Sequence, residues 1–292
     1  MYFATFSQDG REDIGILTKS RDKIVSFREI LGQDAPETML EFIENFNPNW
    51  LEVLENIDEA RGIELEKVKL EAPIPNPRRG IICLGKNYKE HAEEISRAGG
   101  GQEGLPEHPI YFCKLVDRAI GHGGYIPVHS GVTSQLDYEV ELAVVIGKEG
   151  RNIPREKVED YIFGYTILND ITARDLQKQH SQWFRGKSLD GFCPMGPYLA
   201  YKTVVSFPPE LDIRSYVNGE LRQNANTRDF IFDLSYIISE FSKGITLKAG
   251  DIISTGTPAG VGMGFSPFKF LRSGDEVECW IENLGSLKNF VR

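Results

Sequence analysis

Cysteine is sparse. Cys83, Cys113, Cys193 and Cys279 are the four in 292 residues, and no two of them form a CxxC pair. Each stands beside an apolar or aromatic residue, which points to reduced, buried thiols rather than disulfides or a zinc site. Long apolar runs are missing too: none approaches the ~20 residues that span a bilayer, so no membrane partner is expected. The first residues, MYFATFSQDGREDIG, carry neither a basic lead nor an extended apolar stretch and do not read as a signal peptide, which leaves the cytoplasm as the expected address. Positive charge is also short. There are 33 Lys and Arg against 43 Asp and Glu, a net charge of −10, and the basic residues form no long run. Nucleic acid is therefore not an expected partner, because phosphate binding needs clustered cations. A small anion stays compatible, since the local field at a metal outweighs net charge.

What is present has the composition of a globular protein, 40% apolar and 26% charged. Up to about residue 34, short β-like runs (MYFATF, GILTK, KIVSF) alternate with polar turns. In PETMLEFIENF, Met39, Phe42, Ile43 and Phe46 recur at helical spacing. The stretch LEAPIPNPRRG holds three prolines in seven positions, which suits neither helix nor central strand. It reads as the joint between a small N-terminal domain, residues 1–72, and a main domain, residues 73–292. The main part predicts strands at 81–84, 110–114, 138–147, 163–169, 197–201, 212–217, 251–254 and 276–282. Helices are expected near 88–98, 154–160, 172–180 and 231–243. Strands and helices do not alternate regularly, so the fold class is α+β rather than a doubly wound sheet.

The stretch around LDYEVELAVVIGK is the most informative. Alternation puts Asp137, Glu139 and Glu141 on one strand face, with residues two apart spaced ~6.5–7 Å. The following Ala143–Ile146 is apolar on both faces, so the carboxylate end is expected to point inward. Poorly hydrated neighbouring carboxylates repel, and a shared proton or a cation must relieve them. The bland alternative is a solvated edge-strand face. Asp170, at the end of the apolar run in FGYTILND, taken singly reads as a helix N-cap, a role Thr172 could also fill. Together with Glu139 and Glu141 it gives three carboxylates at strand ends, an all-oxygen set for a hard cation such as Mg²⁺ or Mn²⁺.

In GKNYKEHAEEISRAGGG, Asn87 and Glu90 fit a capping-box-like helix start, and the glycines at 99–101 stop the helix. His91 and Glu94, three apart, share a face. A carboxylate beside an imidazole makes it a general base; the plainer reading is a surface salt bridge. The glycine-rich stretch that follows makes the helix a candidate lid over residues 88–105. Gly186-Lys187-Ser188 is not a phosphate loop, because that motif needs glycine where Ser181 stands. Gly260, Gly262 and Gly264 lack the strand-to-helix context of a dinucleotide fingerprint. Lys187 could instead offer charge to an anionic substrate, and Thr255, Gly256 and Thr257 offer donors for a carboxylate.

Taken together, IICLGKNYKEHAEE, PIYFCK, LDYEVELAVVIGK, GYTILNDITARDLQ, GKSLDGFCPMGP, VNGELRQ and LKAGDIISTGTPAGVG resemble the fumarylacetoacetate hydrolase family over about residues 75–292. The resemblance is to the branch linked to oxaloacetate decarboxylation or tautomerisation and to acylpyruvate hydrolysis. It implies a mixed β-sandwich roll core behind a small N-terminal α/β domain, assembled as a homodimer. It implies metal ligation by Glu139, Glu141 and Asp170, His91 and Glu94 as an acid–base dyad, and Lys187 as the cation facing the reacting group. Lys86, Asn87, Lys114, Arg174 and Gln177 would line the substrate, and Thr257 would hold its carboxylate. Lys86 departs from the pattern, since many relatives have Arg there, and so does Leu115, where a small residue or Pro is common. The implied chemistry is cleavage of a C–C bond in a small 2-oxo (β-dicarbonyl) acid through a metal-stabilised enolate. The alternatives are keto–enol tautomerisation or isomerisation of oxaloacetate or 2-hydroxyhepta-2,4-dienedioate. Outside enzymes, the same carboxylates would serve a binding protein whose metal merely ties strands together.

Overall fold

The computed structural model describes residues 1–97 and 104–292. Its backbone is built on an eleven-stranded mixed sheet. In spatial order the main path runs Ile63–Glu64, Lys23–Ser26, Arg11–Leu17, Tyr2–Gln8, Met195–Tyr201, Ile162–Asn169, Val140–Ile146, Ile252–Ser254, Ile81–Gly85 and Ile110–Lys114, with Lys69–Leu70 pairing beside Tyr2–Gln8. Neighbours are antiparallel except for Ile252–Ser254 with Ile81–Gly85. A second sheet, Glu220–Asn226, Asp212–Val217, Glu276–Ile281, Gly285–Val291 and Tyr125–Ile126, lies against one face of the first. The fold class is the expected α+β. The strands Glu220–Asn226 and Gly285–Val291 were not foreseen. Both are short of consecutive apolar residues, because they lie in a sheet with one face toward solvent.

The central strand Val140–Ile146 is buried along its whole length because both of its faces are covered. Val140, Leu142, Val144 and Ile146 meet Ile213, Val277, Ile281 and Leu287 of the second sheet, together with Ile237 and Ile238 of the helix Leu234–Phe241. The opposite face, with Ala143 and Val145, packs with Phe3, Phe42, Phe163, Leu199 and Tyr201. Phe42 comes from the helix Met39–Glu44, capped by Thr38 Oγ1 accepting from the Glu41 N–H. Its ring sits 5.0 Å from Phe3, 4.6 Å from Phe27 and 5.8 Å from Phe163, and stacks on Trp50 at 5.7 Å. The first residues thus extend the main sheet through Tyr2↔Ala200 and Phe3↔Leu199 and share its apolar interior, while Glu71–Ile74 of the proline-rich joint is buried.

Two local expectations change. Asn87 does not cap the helix Lys89–Arg97: its Oδ1 accepts from the Phe232 N–H and its Nδ2 donates to the Thr255 and Phe232 carbonyls, tying three chain segments together. Of the cysteines, Cys83, Cys193 and Cys279 are buried and free as expected, but Cys113 is exposed, because it lies on the edge strand Ile110–Lys114. Glycines 99–101 of the expected lid lie outside the described residues. No helix among the described residues is long and apolar enough to cross a membrane.

Phe42→Ala is expected to cost about 3–5 kcal/mol, the range for emptying an aromatic site in a packed core. Urea titration followed by far-UV and near-UV dichroism should show both signals shifting together, since the ring joins the first segment to the main sheet.

Candidate active site

Strand register builds the centre. Val140 faces Asn169 and Glu141 faces Leu168 across the antiparallel pair, so Asp170 arrives opposite Glu139, and its N–H donates to the Glu139 carbonyl at 2.9 Å. The strand expected over 138–147 is interrupted at Tyr138 and Glu139: the Asn169 Oδ1 takes the Glu139 N–H and the Gln223 Oε1 takes the Val140 N–H. Leu136–Asp137 pairs instead with Thr172–Ala173. The side chains of Glu139, Glu141 and Asp170 are buried, and one carboxylate oxygen from each lies within 4.8 Å of the others. Asp170 is not a helix cap. The helix Arg174–Gln179 starts after Ala173 without a side-chain cap, and Thr172 Oγ1 donates to the Asp170 carbonyl.

Cations reach this cluster from three directions. Lys187 Nζ bridges Glu139 Oε2 at 2.7 Å and Asp170 Oδ2 at 2.6 Å. It sits at the end of the short helix Phe184–Lys187, which lies close against Arg174–Gln179. A Cβ on Gly186 would fall 2.6 Å from the Gln177 nitrogen and 2.8 Å from the Ala173 oxygen. Lys114 pairs with Asp170 Oδ1 at 2.7 Å and donates to the carbonyls of Ile171 and Lys187. Arg174 reaches Glu139 Oε1 at 2.7 Å, Asp137 Oδ2 at 2.8 Å and Gln177 Oε1 at 3.1 Å. Glu141 is held differently, accepting from the Ser254 hydroxyl and from the Gly256 N–H at 3.0 Å.

The electrostatics follow from these partners. Burial pushes the Glu139 carboxyl up, but the charges of Lys187 and Arg174 outweigh it and hold the group at about 2. Burial, then the negative charges of Asp170 and Glu139, push the Glu141 carboxyl well above the carboxylate range. Burial alone would lower the Lys187 ammonium, yet Asp170 and Glu139 raise it, so it stays protonated. Of four buried carboxylates, counting Asp137, three are joined by ion pairs to Lys114, Arg174 and Lys187, while Glu141 is held by the Ser254 hydroxyl and the Gly256 N–H. The donor set is all oxygen and buried, and it fits a hard divalent cation. Glu139, Glu141 and Asp170 are the residues that can hold one.

A cavity of about 350 Å³ opens over the cluster, lined in part by Lys86, His91, Glu139, Glu141, Arg174, Gln177, Lys187 and Thr257. Behind His91, whose Nδ1 lies 3.0 Å from Glu94 Oε2, the other Glu94 oxygen accepts the Gly260 N–H at 2.9 Å. Asn87 and Lys114 are not among the lining residues: the first ties chain segments and the second lies beneath Asp170. Thr257 lines the cavity, but its hydroxyl donates to the Val140 carbonyl and accepts from Gln223 Nε2, so its proton is already engaged. Asp137 was noted only as a face-mate of Glu139. Its buried carboxylate accepts from the N–H groups of Gly262 at 2.6 Å and Met263 at 3.0 Å as well as pairing with Arg174. Phe112, Lys178, His180, Trp183 and Met263 complete much of the remaining wall, and no periodic pattern marks them in the sequence.

Residues 80–292 match the model of the fumarylacetoacetate (FAA) hydrolase C-terminal family, and the chain belongs to that family. It is 55% identical over 227 residues to the oxaloacetate tautomerase YisK of Bacillus subtilis, covering 78% of this chain and 74% of that protein. Among solved structures, the fumarylacetoacetate hydrolase of Exiguobacterium antarcticum is 40% identical, with a TM-score of 0.85 over 100% of this chain and 99% of that one. The maleylpyruvate hydrolase of Sphingobium sp. SYK-6, solved with manganese(II) and pyruvate, is 30% identical with a TM-score of 0.79, covering 100% and 98%.

Asp170→Asn removes one of the three oxygen-donor charges while leaving the shape of the site. Titration calorimetry with Mn²⁺ is expected to show affinity falling by more than about tenfold relative to the unchanged protein, the scale set by losing a charged ligand or its support.

Proposed function

We propose that this chain is a divalent-metal-dependent enzyme, taking Mg²⁺ or Mn²⁺, that performs enolate chemistry on small 2-oxo acids. The reaction it supports best is keto–enol interconversion of an oxaloacetate-type acid. The observation that carries the reading is the gathering of Glu139, Glu141 and Asp170 within 4.8 Å, with Glu139 and Glu141 lining one cavity together with Lys187 and His91. The similarity to an oxaloacetate tautomerase supports it.

Glu139, Glu141 and Asp170 would hold a divalent cation, which would supply positive charge to stabilise an enolate. The protein's own groups do the rest. Glu94 accepts at Nδ1 of His91, so the ring proton sits there and Nε2 is left as the base. That nitrogen takes the proton from C3 as a C2–C3 double bond forms and the carbonyl π pair moves onto the C2 oxygen. Lys187, kept protonated by Asp170 and Glu139, donates a hydrogen bond to the charged C2 oxygen, and the proton taken by His91 is returned to that oxygen to give the enol, the steps running backwards in the reverse direction. Arg174 and Gln177 orient the carboxylate end of the substrate from the cavity wall.

The same dyad favours a second reading, cleavage of the C–C bond beyond C3. His91 would deprotonate a water attacking a distal carbonyl, as hydrolysis of an acylpyruvate requires. Decarboxylation of oxaloacetate needs no such water and would lean on Lys187 and the cation. General-base catalysis is worth on the order of 10²–10⁴-fold, so His91→Ala should lose acetylpyruvate cleavage by that factor. Lys187→Ala should damage oxaloacetate turnover and acetylpyruvate cleavage alike. Steady-state rates on both substrates check this. Equal loss of oxaloacetate decarboxylation and acetylpyruvate cleavage in His91→Ala would mean that the imidazole orients the substrate rather than activating water, and full activity after removal of divalent metal would end the metal-dependent reading.

A further inference from the structure

The aromatic side of the cavity has no role in that chemistry, yet it is built with close tolerances. Trp183 is not a core residue: it is half-buried, lies between the exposed Gln182 and Phe184, and lines the cavity. Its ring stands edge-on to Phe112 with centroids 5.4 Å apart, and Phe112 in turn lies 5.1 Å from Lys187 Nζ. The indole also rests on the backbone at Gly85. A Cβ at Gly85 would come within 2.2 Å of Trp183 Cζ3 and 2.6 Å of its Cη2. Residue 85 is thus glycine for lack of room, and any side chain there would displace the indole. The backbone N–H of Lys187 donates to the Trp183 carbonyl one helical turn back at 3.1 Å, so both residues belong to the same turn. Lys187, Phe112, Trp183 and Gly85 therefore form one continuous wall leading away from the carboxylates.

We infer that Trp183 is the specificity-determining residue of this site, limiting the substituent beyond C3 to a short one such as a carboxylate or acetyl group and shutting out long acyl chains. This rests on the 2-oxo-acid reading above. A flat indole braced by Phe112 and by backbone cannot yield as a flexible side chain would, so each added methylene meets a rigid surface.

Oxamates test it without depending on which reaction the enzyme performs. Oxamate carries the carboxylate and adjacent carbonyl of a 2-oxo acid, and an N-butyl group extends where the C3 substituent would. Calorimetry on the full chain with Mg²⁺ should find that the unchanged protein binds oxamate and discriminates against N-butyloxamate. In Trp183→Ala that ratio should narrow by at least about tenfold, the scale of one or more methylenes in an apolar pocket, and in Trp183→Phe by less. Far-UV dichroism checks folding, and if Trp183→Ala does not fold, the ratio in Trp183→Phe decides. An unchanged ratio in the folded variants, or equal binding of both oxamates by the unchanged protein, overturns the wall while leaving the 2-oxo-acid reading intact. Failure of oxamate itself to bind overturns both.

Discussion

The antiparallel pairing of Val140–Ile146 with Ile162–Asn169 is the constraint on which the site depends. It lays Glu141 across from Leu168 and brings Asp170 up beside Glu139, so that residues thirty apart in sequence share one small volume. The next strand over, Ile252–Ser254, delivers Ser254 and Gly256 to Glu141, and its parallel partner Ile81–Gly85 delivers Lys86 to the same end. A slip of one residue in this register would turn the carboxylates to the opposite face, into the apolar layer that now holds Val140 and Leu142. Register and chemistry are therefore one requirement.

So many charges in a dry interior would ordinarily cost more than their mutual attraction returns. Here the cost is spread over interlocked pairs: Lys187 serves Glu139 and Asp170, Arg174 serves Glu139 and Asp137, and Asp137 fastens the Gly262–Met263 backbone. That backbone leads back to Gly260, which binds Glu94, the partner of His91. The His91–Glu94 pair and the carboxylate cluster are thus mechanically connected, although they come from separate stretches of the chain.

Much of this was legible from short-range pattern. Alternation along LDYEVELAVV pointed to an inward carboxylate strand end, helical spacing marked Met39, Phe42 and Ile43, and the HxxE spacing put His91 beside Glu94. What could not be read depended on partners far away in sequence. The Asn87 side chain looks like a helix cap until Phe232, 145 residues on, takes both of its ends. Lys187 looks like a loop lysine because the tight approach of two short helices, permitted by Gly186, is invisible locally. The break at Tyr138 and Glu139 depends on the side chains of Asn169 and Gln223, whose roles only the assembled sheets define. Trp183 lies in a segment without periodicity, so its place against Gly85 carried no signal at all.

The junction between Tyr2–Gln8 and Met195–Tyr201 bears on how portable the family's module is in this chain. The family match begins at residue 80, but the strand it would leave at the sheet margin is the one that Tyr2 and Phe3 now cover. Trimmed of its first segment, the module would present bare N–H and C=O groups of Met195–Tyr201 to solvent, beside the uncovered rings of Phe163 and Tyr201. An open strand edge next to an apolar patch is a template for intermolecular pairing. In this chain the leading residues cover that edge, so shortening the fold to the matched module would require another cover for Met195–Tyr201.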